Sequence, residues 1–168
     1  MSEREGIILA AIDGSQNSLL AAGVGARMAS LLGAHLGLIH VLDEPVVSFW
    51  GGVEAHMKSE IRTEAEATLS AFADKIAEVC EVTPEFFIEE GLPEEVIPKV
   101  VESQPDVMMV VVGRTGLDGE HKSHLRKRSI GHVTSRLIER LALPITVVPT
   151  DLPSSHICEA VARLRDAR

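Results

Sequence analysis

Residues 107–148 read VMMVVVGRTGLDGEHKSHLRKRSIGHVTSRLIERLALPITVV. The opening run, Val107 to Val112, is continuously apolar and predicts a strand buried on both faces. The chain breaks at Gly113 and Gly116 and enters a polar, basic loop. Gly131 then precedes a helical pattern carried by Val133, Leu137, Ile138 and Leu141. Pro144 introduces a second apolar run, Ile145 to Val148. Strand, glycine loop, helix and strand in that order form the layout of an anion site. Glycine lets backbone N–H groups approach an anion closely, and a helix N-terminus adds partial positive charge.

Upstream, the same alternation repeats. Gly6 to Ile12 predicts the first strand, ending at Asp13-Gly14-Ser15. A helix follows to about Leu32, capped by Ser15 or Asn17, with Leu20, Val24, Met28 and Leu31 on its apolar face. Gly23 and Gly25 inside it indicate close helix-to-sheet packing, and Gly33 suits the C-cap. His35 to Val41 predicts a second strand and Leu42 to Gly52 a loop. From Val53 a helix of about 28 residues carries Met57, Ile61, Ala65, Leu69, Phe72, Ile76 and Val79 on one stripe. Pro84 to Glu89 predicts an edge strand. A helix from Pro93 to about Glu102 should be kinked or shortened by Pro98. Strands alternating with helices give an α/β class with five parallel strands. Beyond Thr150, a turn at 151–155 leads to a short amphipathic helix over Ile157 to Ala167.

Composition bounds the function. With 168 residues the chain has the size of one ordinary domain with a full core. Aromatics make up 3% and Tyr is absent, so Val, Ile, Leu, Ala and Met must build the core. The net charge of −9 disfavours nucleic acid as a partner. The charged start MSEREG argues against a signal peptide, and no apolar run is long enough for a membrane span. Cys80 and Cys158 stand alone without metal-ligand spacing, which fits a reduced, cytoplasmic protein.

The stretch Gly113-Arg114-Thr115-Gly116, followed by Gly131-His132-Val133-Thr134, resembles the signature of universal stress protein domains. That signature runs Gly, two residues, Gly, nine residues, then Gly with Ser or Thr. The resemblance covers about residues 6–149, dividing the chain into a domain over 1–149 and an extension over 150–168. It implies a three-layer α/β sandwich with a five-stranded parallel sheet of order 3-2-1-4-5 and helices on both faces. It also implies a stress-response protein that binds ATP, AMP or another adenine nucleotide, with or without Mg²⁺, and forms a homodimer. In nucleotide-binding members the residues matching Asp13 and Val41 meet the adenosine end. Those matching Gly113 and Gly116 border ribose and phosphates, and those matching Gly131, His132, Val133 and Thr134 hold the phosphates. The family dimerises through its fifth strand, here Ile145, Thr146, Val147 and Val148.

Two departures bear on the ligand. Fourteen residues, Leu117 to Ile130, separate the second glycine from the third, about five more than the pattern. His132 stands where the family has Ser or Thr. Imidazole is bulkier than a hydroxyl and titrates near neutrality, so two readings stay open: phosphate binding tuned by pH, or binding lost. The lengthened loop carries Lys122, Arg126, Lys127 and Arg128 within HKSHLRKR. With Arg114 these are candidates for phosphate or protein-partner contacts, set against the plainer reading of a solvated loop.

Enzyme readings find little support. The chain has no Walker lysine motif, no nucleophile elbow and no histidine spacing for a metal site. No catalytic residue is assigned. Slow ATP hydrolysis or self-phosphorylation, a feature of some members of the family, is the most the sequence allows, with Asp13 the one obvious candidate. A nucleotide-free interaction module, acting through its dimer face, basic loop and C-terminal helix, is the alternative of a different class.

Overall fold

The computed structural model describes residues 6–42, 51–80, 82, 84–116 and 130–152, and every structural statement below concerns these. Five strands form one sheet: β1 (Ile7–Ala11), β2 (His35–Leu42), β3 (Glu85–Glu90), β4 (Val107–Gly113) and β5 (Ile145–Val148). Their order is β3-β2-β1-β4-β5 and every pairing is parallel. Four helices cover it: α1 (Gln16–Leu32), α2 (Gly51–Cys80), α3 (Pro93–Ser103) and α4 (His132–Arg140). The predicted helix over 157–167 lies outside the described residues.

The strand runs are continuously apolar because the sheet is covered twice. Ile8, Ala10, Leu36, Leu38 and Val111 face α1 and α2. Leu9, Ile39, Val110 and Val112 face Ile97 and Val100 of α3 and Leu137 of α4. With alternate side chains pointing to opposite faces, both sets must be apolar. β4 departs from the fully buried strand its composition predicts. Ile7 pairs with Val107 and Ile8 with Met109, which leaves Met108 as the extra residue of a bulge. Its side chain is 44% exposed.

The helices follow their patterns, with corrections to the buried faces of α1 and α4. Ser15, and not Asn17, caps α1, its Oγ accepting from the Ser18 N–H at 3.0 Å. The fully buried face of α1 is its small one, Ala21, Ala22, Gly25, Ala26 and Ala29; the predicted stripe of Leu20, Val24 and Met28 is only half-buried. The helix lies so close to the sheet that a Cβ on Gly25 would stand 3.4 Å from the Ala10 Cβ, the close packing expected of that glycine. On α2, Ala65, Leu69, Phe72 and Ile76 are buried on one stripe as the periodicity predicts. On α4, Leu137 is buried, but Ile138 is 46% exposed and belongs to the solvent face.

Pro98 does not shorten α3, which runs to Ser103. Proline has no N–H, so the carbonyl of Glu94, four residues back, loses its helical donor. Arg140 at the end of α4 supplies one instead, its Nη1 donating to the Glu94 carbonyl at 3.0 Å. The two helices on this face of the sheet are thereby joined across the gap the proline opens.

Candidate functional site

In a sheet of this order the winding reverses between β1 and β4, and the carboxyl ends of those strands flank a crevice. A cleft of about 1050 Å³ opens there. Asp13, Val41, Gly113, Gly116, Gly131, His132, Val133 and Thr134, scattered over the sequence, all line it. Ile61, Ala65 and Thr68 of α2 close one side, and Leu92, Pro93 and Glu94 at the start of α3 close another.

The floor is held by Asn17, which is 2% exposed. From the first turn of α1 its Nδ2 donates to the Val148 carbonyl at 3.0 Å, and its Oδ1 accepts from the Thr115 N–H at 3.0 Å. One amide thus ties the end of β5 to the turn after β4. Gly113 makes room for it: a Cβ there would stand 2.8 Å from Asn17 Oδ1. Gly116 makes room for Asp13 in the same way, since a Cβ would overlap the carboxylate Oδ2. The other oxygen, Oδ1, accepts from the Ser15 N–H at 3.0 Å. Two glycines of the motif are therefore required by packing inside the protein, before any ligand is considered.

The start of α4 is also locked to the floor. The Gly131 N–H donates to the Arg114 carbonyl at 2.7 Å. Thr134 is buried and its hydroxyl donates to the Gly113 carbonyl at 2.8 Å. That proton is committed to the fold, so the backbone of the first turn is what α4 offers to an anion. Gly131 occupies the N-cap and provides no side-chain cap. Helix geometry leaves the N–H groups of His132, Val133 and Thr134 without acceptors in their own helix. At the base of the cleft, His40 Nδ1 lies 2.7 Å from the Ile12 carbonyl. A carbonyl only accepts, so Nδ1 carries the proton, and the ring clamps the ends of β1 and β2 together.

Charge is distributed unevenly. Asp13, Glu64 and Glu94 line the cleft, whereas none of its described lining residues is Lys or Arg. Arg114, a candidate phosphate contact from sequence, turns instead to Thr150 and Asp151, with Nη2 3.1 Å from the Thr150 hydroxyl and 3.9 Å from Asp151 Oδ1. Lys122, Arg126, Lys127 and Arg128 lie outside the described residues. His132 Nε2 stands 3.5 Å from Glu94 Oε1. Asn17, His40 and Glu94 belong to the site without being legible as site residues in the sequence. Only Asn17 gave a signal: a cap-type residue two places inside a helix that Ser15 already caps.

A model of the universal stress protein family matches residues 6–149. The chain belongs to that family. A protein of Staphylococcus haemolyticus named for the family is 23% identical over 144 residues, covering 86% of this chain and 84% of its own. Among solved structures, the universal stress protein UspA from Lactobacillus plantarum superposes with a TM-score of 0.72 at 19% identity, over 88% of this chain and 99% of that one. The universal stress protein from Archaeoglobus fulgidus in complex with dAMP gives 0.62 at 18% identity, over 86% and 97%. The sheet order expected from the resemblance is the order observed. No described helix of this universal stress protein is long and apolar enough to cross a membrane.

Proposed function

We propose that this universal stress protein binds an adenine nucleotide in the cleft between β1 and β4, as a regulatory ligand in a stress response. The observation that carries the reading is the start of α4. Its first-turn N–H groups lack helical acceptors, its cap has no side chain to satisfy them, and it borders the same cleft as Asp13 and Val41. The phosphates would lie on that turn and the adenosine end near Asp13 and the end of β2. A relative of the same fold is known in complex with dAMP, which supports the ligand class. ATP and AMP are both candidates, with Mg²⁺ as a companion of the former. The proposed setting is a cytoplasmic homodimer formed along β5, which lies at the sheet edge and pairs with β4 on its inner side.

One observation favours a second reading, a nucleotide-free interaction module. The demands of Asn17 and Asp13 account for Gly113 and Gly116, so the motif's presence does not by itself require a ligand. Calorimetric titration of nucleotide-stripped protein with AMP and ATP, with and without Mg²⁺, separates the two. A backbone donor can be removed at the site as well. Gly131 has φ −65° and ψ 159°, the extended conformation that a residue before proline adopts, and proline is well tolerated at the first helical position. His132→Pro therefore deletes one N–H and leaves the helix, while His132→Ala deletes only the imidazole. The expected result is saturable binding, about tenfold weaker in His132→Pro than in His132→Ala. Folded protein that binds neither nucleotide refutes the reading.

A further inference from the structure

Glu94 is held where a carboxylate is unexpected. Its side chain is 17% exposed and its Oε1 lies 3.5 Å from His132 Nε2, at the first residue of α4. The same residue is anchored through its backbone, where Arg140 Nη1 donates to its carbonyl at 3.0 Å. As the second residue of α3, its carboxylate also sits in the favourable field of that helix's N-terminus. Three constraints thus fix one negative charge beside the turn assigned above to phosphate. His132, the residue where the family has a small hydroxyl, is what meets it. The described lining offers no Lys or Arg to offset the charge.

Resting on the nucleotide reading, we propose that Glu94 is a specificity-determining residue that limits the negative charge the cleft accepts, so that the site takes a nucleotide with a single phosphate group in preference to a triphosphate. The warrant is Coulombic. Each added phosphate brings further negative charge toward a fixed carboxylate in a partly enclosed site, where screening is weaker than in water. Adenosine, with no phosphate, does not feel it. Glu94 is thus expected to act on the ratio of affinities and not on binding as such.

The test compares wild type, Glu94→Gln and Glu95→Gln by titration with adenosine, AMP and ATP in EDTA at low ionic strength. Glu95 is the neighbouring exposed carboxylate and does not line the cleft, so its variant makes the same change in net charge without touching the site. Wild type should bind AMP more tightly than ATP. Glu94→Gln should lower the ratio of ATP to AMP dissociation constants about fivefold, leaving adenosine unchanged. Glu95→Gln should leave the ratio as in wild type, and about 0.5 M salt should shrink the Glu94→Gln effect. A ratio unmoved by Glu94→Gln, or moved equally by Glu95→Gln, overturns the inference while nucleotide binding stands. So does an effect that is equal for adenosine or indifferent to salt, since Glu94 would then act through the packing of α3. Wild type that binds none of the three ligands overturns both readings together.

Discussion

The two walls of the cleft are built on opposite terms. On the floor, Asn17, Thr115, Gly113 and Thr134 make buried or part-buried contacts of 2.8 to 3.0 Å that join α1, β4, β5 and α4. On the rim, Glu94, His132 and Arg140 meet across solvent-facing contacts of 3.0 to 3.5 Å that join only α3 and α4. Floor contacts bind groups that water cannot reach if they are broken, so their loss costs the fold. Rim contacts can be exchanged for water, so their loss costs the fold little. His132 falls on the rim, where its side chain is largely exposed and makes no buried contact.

The largest effect that would sharpen this contrast is at Asn17. Asn17→Ala leaves the buried Thr115 N–H without its acceptor and takes one of two donors from the Val148 carbonyl, which keeps the Arg114 N–H at 2.8 Å. Urea unfolding should show a loss of about 1–3 kcal/mol, and Asn17→Asp should do no better, because its second oxygen would face the Val148 carbonyl. A cost below 1 kcal/mol would mean that the floor is held elsewhere.

Thr134 gives a smaller effect with a second readout. Thr134→Val keeps the shape and removes the donor to the Gly113 carbonyl. About 1 kcal/mol of stability should be lost. Because the backbone N–H groups of α4 stay in place, AMP affinity should change by less than about threefold. A large loss of affinity at unchanged stability would instead make the hydroxyl a ligand contact, moving Thr134 from the floor to the binding surface.

Much of this was written locally in the sequence. A sheet covered on both faces needs apolar residues at every strand position, which is why Val107 to Val112 and Gly6 to Ile12 could be read directly. Ser15 before a helix and Gly33 after it are local signals too. The buried face of α1 is not legible from residue size, the usual mark of a core position. Ala21, Ala22, Gly25 and Ala26 are buried because they are small, letting the helix approach the strands closely. The bonds of Asn17 span 131 and 98 residues, and nothing in the neighbouring sequence names such partners. Glu94 was invisible for the same reason: its role comes from a residue on another helix.

Pro98 and Arg140 give the smallest effect and the most direct test of the rim. The Glu94 carbonyl needs a donor because Pro98 has none, and Arg140 reaches 46 residues back in the sequence to provide it. Arg140→Ala should cost about 0.5 kcal/mol, since water can partly take the guanidinium's place at an exposed carbonyl. Pro98→Ala restores an N–H within α3, and the helix can then satisfy Glu94 by itself. In that background Arg140→Ala should cost nothing measurable. The double-mutant cycle by urea unfolding should therefore return a coupling close to the whole cost of the single arginine mutation. Additive costs would show that Arg140 does not stand in for the missing proline donor, and that α3 tolerates Pro98 through water alone. The rim would then lose one of the anchors that hold Glu94 against His132, and any charge selectivity would have to survive on the His132 contact and the helix field.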